Sequence, residues 1–201
     1  MQLNHWIDLW KISTLPYLWI LRYCSQNDSL RAWFYIAAHG TYGVLWCLKE
    51  YVAPDRRFHT PLTLRMGVLS SIYLAQYLIA PTILMISDGS TPTMGGNEFL
   101  LWFMMYMLGI FLHFGADIQK YYVLRSRRRL ITDGFFSYLK HPNYLGEALI
   151  YLSFCGISGI AWSYLILCFQ VWVEWIPAIW AKERSLSRYP DWEEYSSRCL
   201  F

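Results

Sequence analysis

Charge is what this sequence has least of. Charged residues make up 15% of its 201 positions and hydrophobic residues 56%, against roughly 25% charged in typical globular chains. That balance excludes an ordinary soluble domain. The formal charge of +3 is too small to direct the choice of partner, and no nucleic-acid partner is expected. Cysteines are few and scattered: Cys24, Cys47, Cys155, Cys168 and Cys199 form no CxxC pair, and no His stands at metal-ligand spacing. A disulfide framework and a metal centre are therefore not expected. The dinucleotide-binding GxGxxG, the Walker loop, the nucleophile elbow and HExxH are all missing. Any cofactor must then be held by the ends of membrane helices. Asp8 and Lys11 interrupt the N-terminal apolar run, which excludes a clean signal peptide. Cys199 stands third from the end, which does not fit a prenylation box.

What is present is aromatic and apolar. Eleven Trp, sixteen Tyr and eleven Phe are the excess expected where side chains settle at lipid interfaces. The chain reads as an all-α, multi-spanning transmembrane helix bundle with about five spans. An N-terminal segment (1–30) forms an interfacial or sixth helix, and residues 31–201 form the main domain with a C-terminal cap. Residues 3–24 carry Asp8, Lys11, Pro16 and Arg22, and Ser25-Gln26-Asn27-Asp28 end them. A first full span covers 31–53, long enough for the ~20 residues a bilayer core requires. A second covers about 67–87 and a third about 99–116. A loop at 88–98 is rich in Gly, Pro, Ser and Thr. A polar connector is expected at 118–145, then two helices between 143 and 181 broken at Gly156, Ser158 and Gly159. The tail, with Tyr189, Trp192 and Tyr195, reads as an amphipathic cap lying back over the bundle. With this layout every Lys and Arg except Lys11, Arg22 and Arg31 falls on one side, which the positive-inside rule makes the cytosolic side.

Four groups of residues are candidates for chemistry. Pro142 is suited to the first position of a helix, where its missing N–H costs nothing. His141 then stands at the cap, and Asn143, Tyr144 and Glu147 are spaced to face one groove. Such a helix end favours an anion, although a proline-started membrane helix with ordinary interface residues has the same spacing. His113, Asp117, Lys120 and Tyr121 form a stripe at the end of the third span. They suit ribose or phosphate recognition, or an intrahelical ion pair. Arg125, Arg127, Arg128 and Arg129 suit anionic headgroups or a cofactor's phosphates. Glu174 lies inside an apolar arm, where a carboxylate is costly unless paired or used. His39, Tyr42 and Glu50 on the first span are weaker catalytic candidates alongside it.

Several of these stretches resemble one family. Asp117-x-Gln119-Lys120, Leu130-Ile131-x-Asp133-Gly134-Phe135-Phe136, Lys140-His141-Pro142-Asn143-Tyr144-Leu145-Gly146-Glu147 and Lys182-Glu183-x-Ser185-Leu186 are similar to the DUF1295 family. That family is allied to the C-terminal domain of steroid 5-alpha-reductases and to sterol reductases. The run HGTYGxxWxLKE at 39–50 looks like the first-span pattern of one of its branches, so the resemblance covers about 39–198. It implies NADPH on the cytosolic side and reduction of a carbon–carbon double bond in a membrane-dissolved lipid. The membrane it implies is that of the endoplasmic reticulum, although a bacterial inner membrane would satisfy the same charge rule. By position it places Asn143, Tyr144 and Glu147 in the cofactor site, with His141 at its cap and Asp117, Lys120, Tyr189 and Tyr195 beside it. The HPxYxG core is also shared with isoprenylcysteine and phospholipid methyltransferases, which would put S-adenosylmethionine in much the same place. A homologue without catalysis is the third alternative. The N-terminal Glu and Tyr by which steroid reductases act on an enone have no match here.

Overall fold

A computed structural model describes residues 1–87 and 91–200. Asp88, Gly89 and Ser90 of the expected 88–98 loop lie outside the described residues. Among the described residues there are helices and no strands, so the all-α expectation holds. The helices are α1 (Leu3–Ser25), α2 (Leu30–Val52), α3 (Leu64–Ile86), α4 (Gly96–Ser126), α5 (Pro142–Ser158), α6 (Ser163–Gln170), α7 (Ile176–Leu186) and α8 (Trp192–Arg198). A single π-turn, Val171–Trp175, joins α6 to α7 without a break. Pro177 lies in the first turn of α7 and supplies no N–H to the preceding ladder, which suits a widened turn there.

Three rods are long and apolar enough to cross a membrane: Leu64–Ile86, Gly96–Ser126 and Ser163–Leu186. Two of the five expected spans fall short of that description. α2 has the length but carries Arg31, His39, Lys49 and Glu50, all buried. α5 has 17 residues, about 26 Å of helix against a hydrocarbon core of ~30 Å. The polar connector also begins later than expected. α4 runs through Asp117 and Lys120 to Ser126, for 31 residues, because nothing between them breaks a helix: no Gly, no Pro. At ~46 Å it is longer than the bilayer core.

The chain divides into two compact units, Met1–Met104 with Ser153–Ser163, and Met105–Leu152 with Tyr164–Phe201. In the first, α1 packs on α2 and α3. A Cβ on Gly43 would strike the Lys11 carbonyl, so α2 meets α1 backbone to backbone. The turn between them is held by Asn27, whose side chain donates to the Leu84 carbonyl at 2.8 Å. Arg31, 2% exposed, spends its guanidinium on the carbonyls of Pro92, Gly156 and Ile157 and on the Glu98 carboxylate at 2.9 Å. Lys11, also buried, holds its ammonium 4.7–5.4 Å from the ring centres of Tyr42, Trp46 and Tyr77.

In the second unit α4 and α5 cross at two glycines. A Cβ on Gly146 would meet the backbone N of His113 and, at 2.7 Å, the Gly109 carbonyl. The connector that follows α4 is folded by Gln119. Its side chain donates to the Asp133 carbonyl and accepts from the Phe135 N–H, both at 2.9 Å, around Gly134 at φ 60°. Phe136 then buries beside Ala116 and Ile131. The tail is bonded to this connector: the Tyr195 hydroxyl donates to the Phe136 carbonyl at 2.9 Å, and Leu200 pairs through its backbone with Tyr138 and Lys140.

Gly146→Val should therefore lower the thermal midpoint of the detergent-purified protein, at a cost of about 1–3 kcal/mol from overpacking. Gly67→Ala, on a helix where the added Cβ finds only Leu62 at 3.8 Å, should leave it unchanged or raise it. Equal midpoints for the two variants would refute the close crossing.

Candidate functional site

Pro142 does open a helix. The N–H groups of Tyr144 and Leu145 both bond to the His141 carbonyl at 3.1 Å, so His141 is the capping residue and Asn143 keeps the only uncommitted N–H of the first turn. The neighbouring α4 face then orders this end of α5. His113 Nδ1 donates to the Asn143 carbonyl at 3.0 Å. The Asn143 side-chain amide donates to Asp117 at 3.2 Å, which leaves its carbonyl oxygen directed elsewhere.

Beside this helix end lies a cavity of about 570 Å³, within the range of small-molecule and cofactor sites. All its lining comes from the second unit. Five basic side chains face it: Lys120, Arg129, Lys140, Lys182 and Arg188. No carboxylate is among its lining residues. Leu124, Leu130, Ile131, Phe136 and Leu186 supply an apolar wall, and His141, Asn143, Ser185, Tyr189 and Tyr195 complete it.

The basic groups are not equally committed. Arg129 pairs with Asp133 at 3.0 Å and Lys140 with Glu183 at 3.0 Å. The Lys182 ammonium sits 4.1 Å above the Tyr144 ring. Glu183 also reaches His141 Nε2 at 3.4 Å, so one carboxylate on α7 holds two consecutive residues at the mouth of α5. Burial and the neighbouring Lys182 keep the His141 pKa below its ordinary 6.5, with Glu183 opposing them.

Of the eight residues placed in a cofactor site by sequence, Lys120, His141, Asn143, Tyr189 and Tyr195 line this cavity. Asp117 supports Asn143 from behind, and Tyr144 lies beneath Lys182. Glu147, one turn further along α5 and half-buried, is not part of the lining. Of the four arginines only Arg129 takes part; Arg125, Arg127 and Arg128 are exposed. The weak catalytic candidates stand apart. His39 is stacked on Phe154 with ring centres 4.5 Å apart, and Tyr42 is fully buried. Glu50 accepts from the Asp55 N–H and meets His59 at 2.9 Å, closing the end of α2. Glu174 lies in the π-turn, accepting a hydrogen bond from Gln170. None of the four lines the cavity, and we assign none of them a role. Ser185 and Arg188 were not singled out from the sequence as site residues. The signal was there: Lys182, Ser185 and Tyr189 recur at helical spacing on α7 and its extension.

A family model described as a protein of unknown function, DUF1295, matches residues 50–198. No curated protein matches the chain, and no solved structure matches it.

A histidine whose folded pKa is depressed contributes stability that is complete above its unfolded value, near 6.5, and lost as pH falls through the folded one. The thermal midpoint should therefore fall between about pH 7 and pH 5, and His141→Gln should flatten that slope. An unaltered slope in the variant would remove His141 from this linkage.

Proposed function

We propose that this chain, which belongs to the DUF1295 family, is a membrane oxidoreductase that binds NAD(P)H in the cavity beside Pro142 and reduces a carbon–carbon double bond of a lipid. The observation that carries the reading is the charge of the cavity: five bases and no carboxylate in its lining. A dinucleotide brings phosphates that match such a lining. Its aromatic base brings a flat apolar face for which Leu124, Ile131 and Phe136 provide a wall. S-adenosylmethionine brings a sulfonium cation and no phosphate, and placing that cation among five bases is unfavourable at any protein dielectric.

In this reading Lys120, Arg129, Lys140, Lys182 and Arg188 offset the phosphates. Asn143, oriented by Asp117, offers its amide carbonyl oxygen to a neutral donor of the ligand. Glu183 keeps Lys140 and His141 in position from outside the cavity. Tyr195, tied to the Phe136 and Leu139 carbonyls, keeps the tail closed over the connector. The cofactor, when bound, supplies hydride; the membrane supplies the substrate. Gly96–Ser126 and Ser163–Leu186, two rods able to cross a bilayer, carry lining residues of the cavity and put an apolar substrate within reach. The basic connector and tail lie on the cytosolic side, where the dinucleotide is found.

The test is ligand-dependent thermal stabilisation of the detergent-purified protein with NADPH, NADH or S-adenosylmethionine. A dinucleotide at a hundred times its Kd should stabilise the fold by about 2.7 kcal/mol, and the shift should shrink as salt rises. Asn143→Ala should weaken it. Stabilisation by S-adenosylmethionine alone would replace this reading with a methyltransferase. No response to any of the three would favour a homologue without this cofactor.

A further inference from the structure

The cations around the cavity divide by what already neutralises them. Arg129 and Lys140 each face a carboxylate, from Asp133 and Glu183. Lys120 makes no ion pair or hydrogen bond among the described residues. Arg188 bonds only to neutral acceptors, the Ser185 carbonyl through Nε at 3.1 Å and the Ser185 hydroxyl through one terminal nitrogen at 2.7 Å. Those bonds fix the guanidinium on the end of α7 without cancelling its charge, and they leave its other terminal nitrogen uncommitted. The Ser185 hydroxyl, accepting from Arg188, retains its own proton to donate. Lys120 and Arg188 thus bring two uncompensated positive charges from separate elements to one cavity, together with the hydroxyls of Ser185 and Tyr189.

We propose that Lys120 and Arg188, with Ser185, form a subsite for a terminal phosphomonoester, and that Arg188 is its specificity-determining residue. A phosphomonoester carries a charge of about −1.5 to −2 at pH 7 and three acceptor oxygens, which two unspent cations and a hydroxyl match. A phosphodiester carries one charge and leaves one of the two cations without a counter-ion. The guanidinium presents a planar fork suited to two phosphate oxygens at once. The inference rests on the cavity as a nucleotide site but not on hydride transfer. Two sources of the same chemistry fit it: the 2′-phosphate that separates NADPH from NADH, and the 3′-phosphate that separates coenzyme A from its dephospho form.

The experiment compares binding within those two pairs on the full-length protein in detergent, at fixed low salt, for wild type, Arg188→Gln, Lys120→Gln and Arg127→Gln. Arg188 is exposed and bonded only within its own turn, so its variant should fold. Wild type should prefer the phosphorylated member of one pair by at least about tenfold, the worth of one charge-assisted hydrogen bond. Arg188→Gln should bring the two members close to parity, Lys120→Gln should reduce the preference, and Arg127→Gln, which removes equal charge outside the cavity, should keep it. Preference within the coenzyme A pair without dinucleotide binding would uphold the subsite and retire the reductase reading. No preference in either pair, or one that Arg188→Gln leaves intact, overturns the subsite.

Discussion

The candidate site depends on how closely α5 approaches α4. With glycine at both 109 and 146, the two backbones come near enough that a single methyl group on either residue would collide with the other helix. That approach sets the height of His113 against the first turn of α5. Its ring can then donate to the Asn143 carbonyl, and Asp117, one turn later on α4, can accept from the Asn143 amide. A membrane protein cannot draw helices together by the hydrophobic effect when lipid is as apolar as leucine. Small residues and interhelical hydrogen bonds take over that task, and both occur here within two turns.

The tail closes the other side of the cavity by a different principle. Besides the buried ring of Tyr195, its attachment is mostly polar. Tyr195 bonds to two connector carbonyls, Glu183 spans Lys140 and His141, and the backbone of Leu200 pairs with Tyr138 and Lys140. The Glu183 contacts are sensitive to pH and salt in a way the glycine crossing is not. One wall of the cavity is therefore fixed by packing and the other by electrostatics.

Much of this was legible in the sequence, for reasons that can be named. Pro142 marks a helix start because the first helical position is where proline's missing N–H costs nothing, and the structure begins α5 there. The Gly159 break was readable for the same kind of reason: φ 67° is a conformation few other residues tolerate. At α2 the helix was legible, but Arg31, Lys49 and Glu50 are buried against specific partners that composition cannot reveal. Hydropathy failed at the end of α4, since a polar stretch with good helix formers reads as a connector but continues the helix. The tail half of the cavity was the least legible. Arg188 and Ser185 sit in a stretch that looks like any charged surface segment, and only the docking of nearby Tyr195 on the distant Phe136 and Leu139 carbonyls sets that stretch beside the cavity.

Five like charges around one cavity have an energetic consequence of their own. Two unit charges ~8 Å apart repel by about 2 kcal/mol at an effective dielectric of 20, and several such pairs share this volume. Asp133 and Glu183 relieve two of the five bases, from positions outside the lining. Had the fold needed only to neutralise the cluster, a carboxylate facing inward would do so at less cost in strain and self-repulsion. The acids instead sit behind the bases and orient them. In a chain that is only 15% charged, a concentrated positive field left open toward a cavity is an expense that a bound anion removes. The second unit is therefore expected to be tighter with an anion in place than without one.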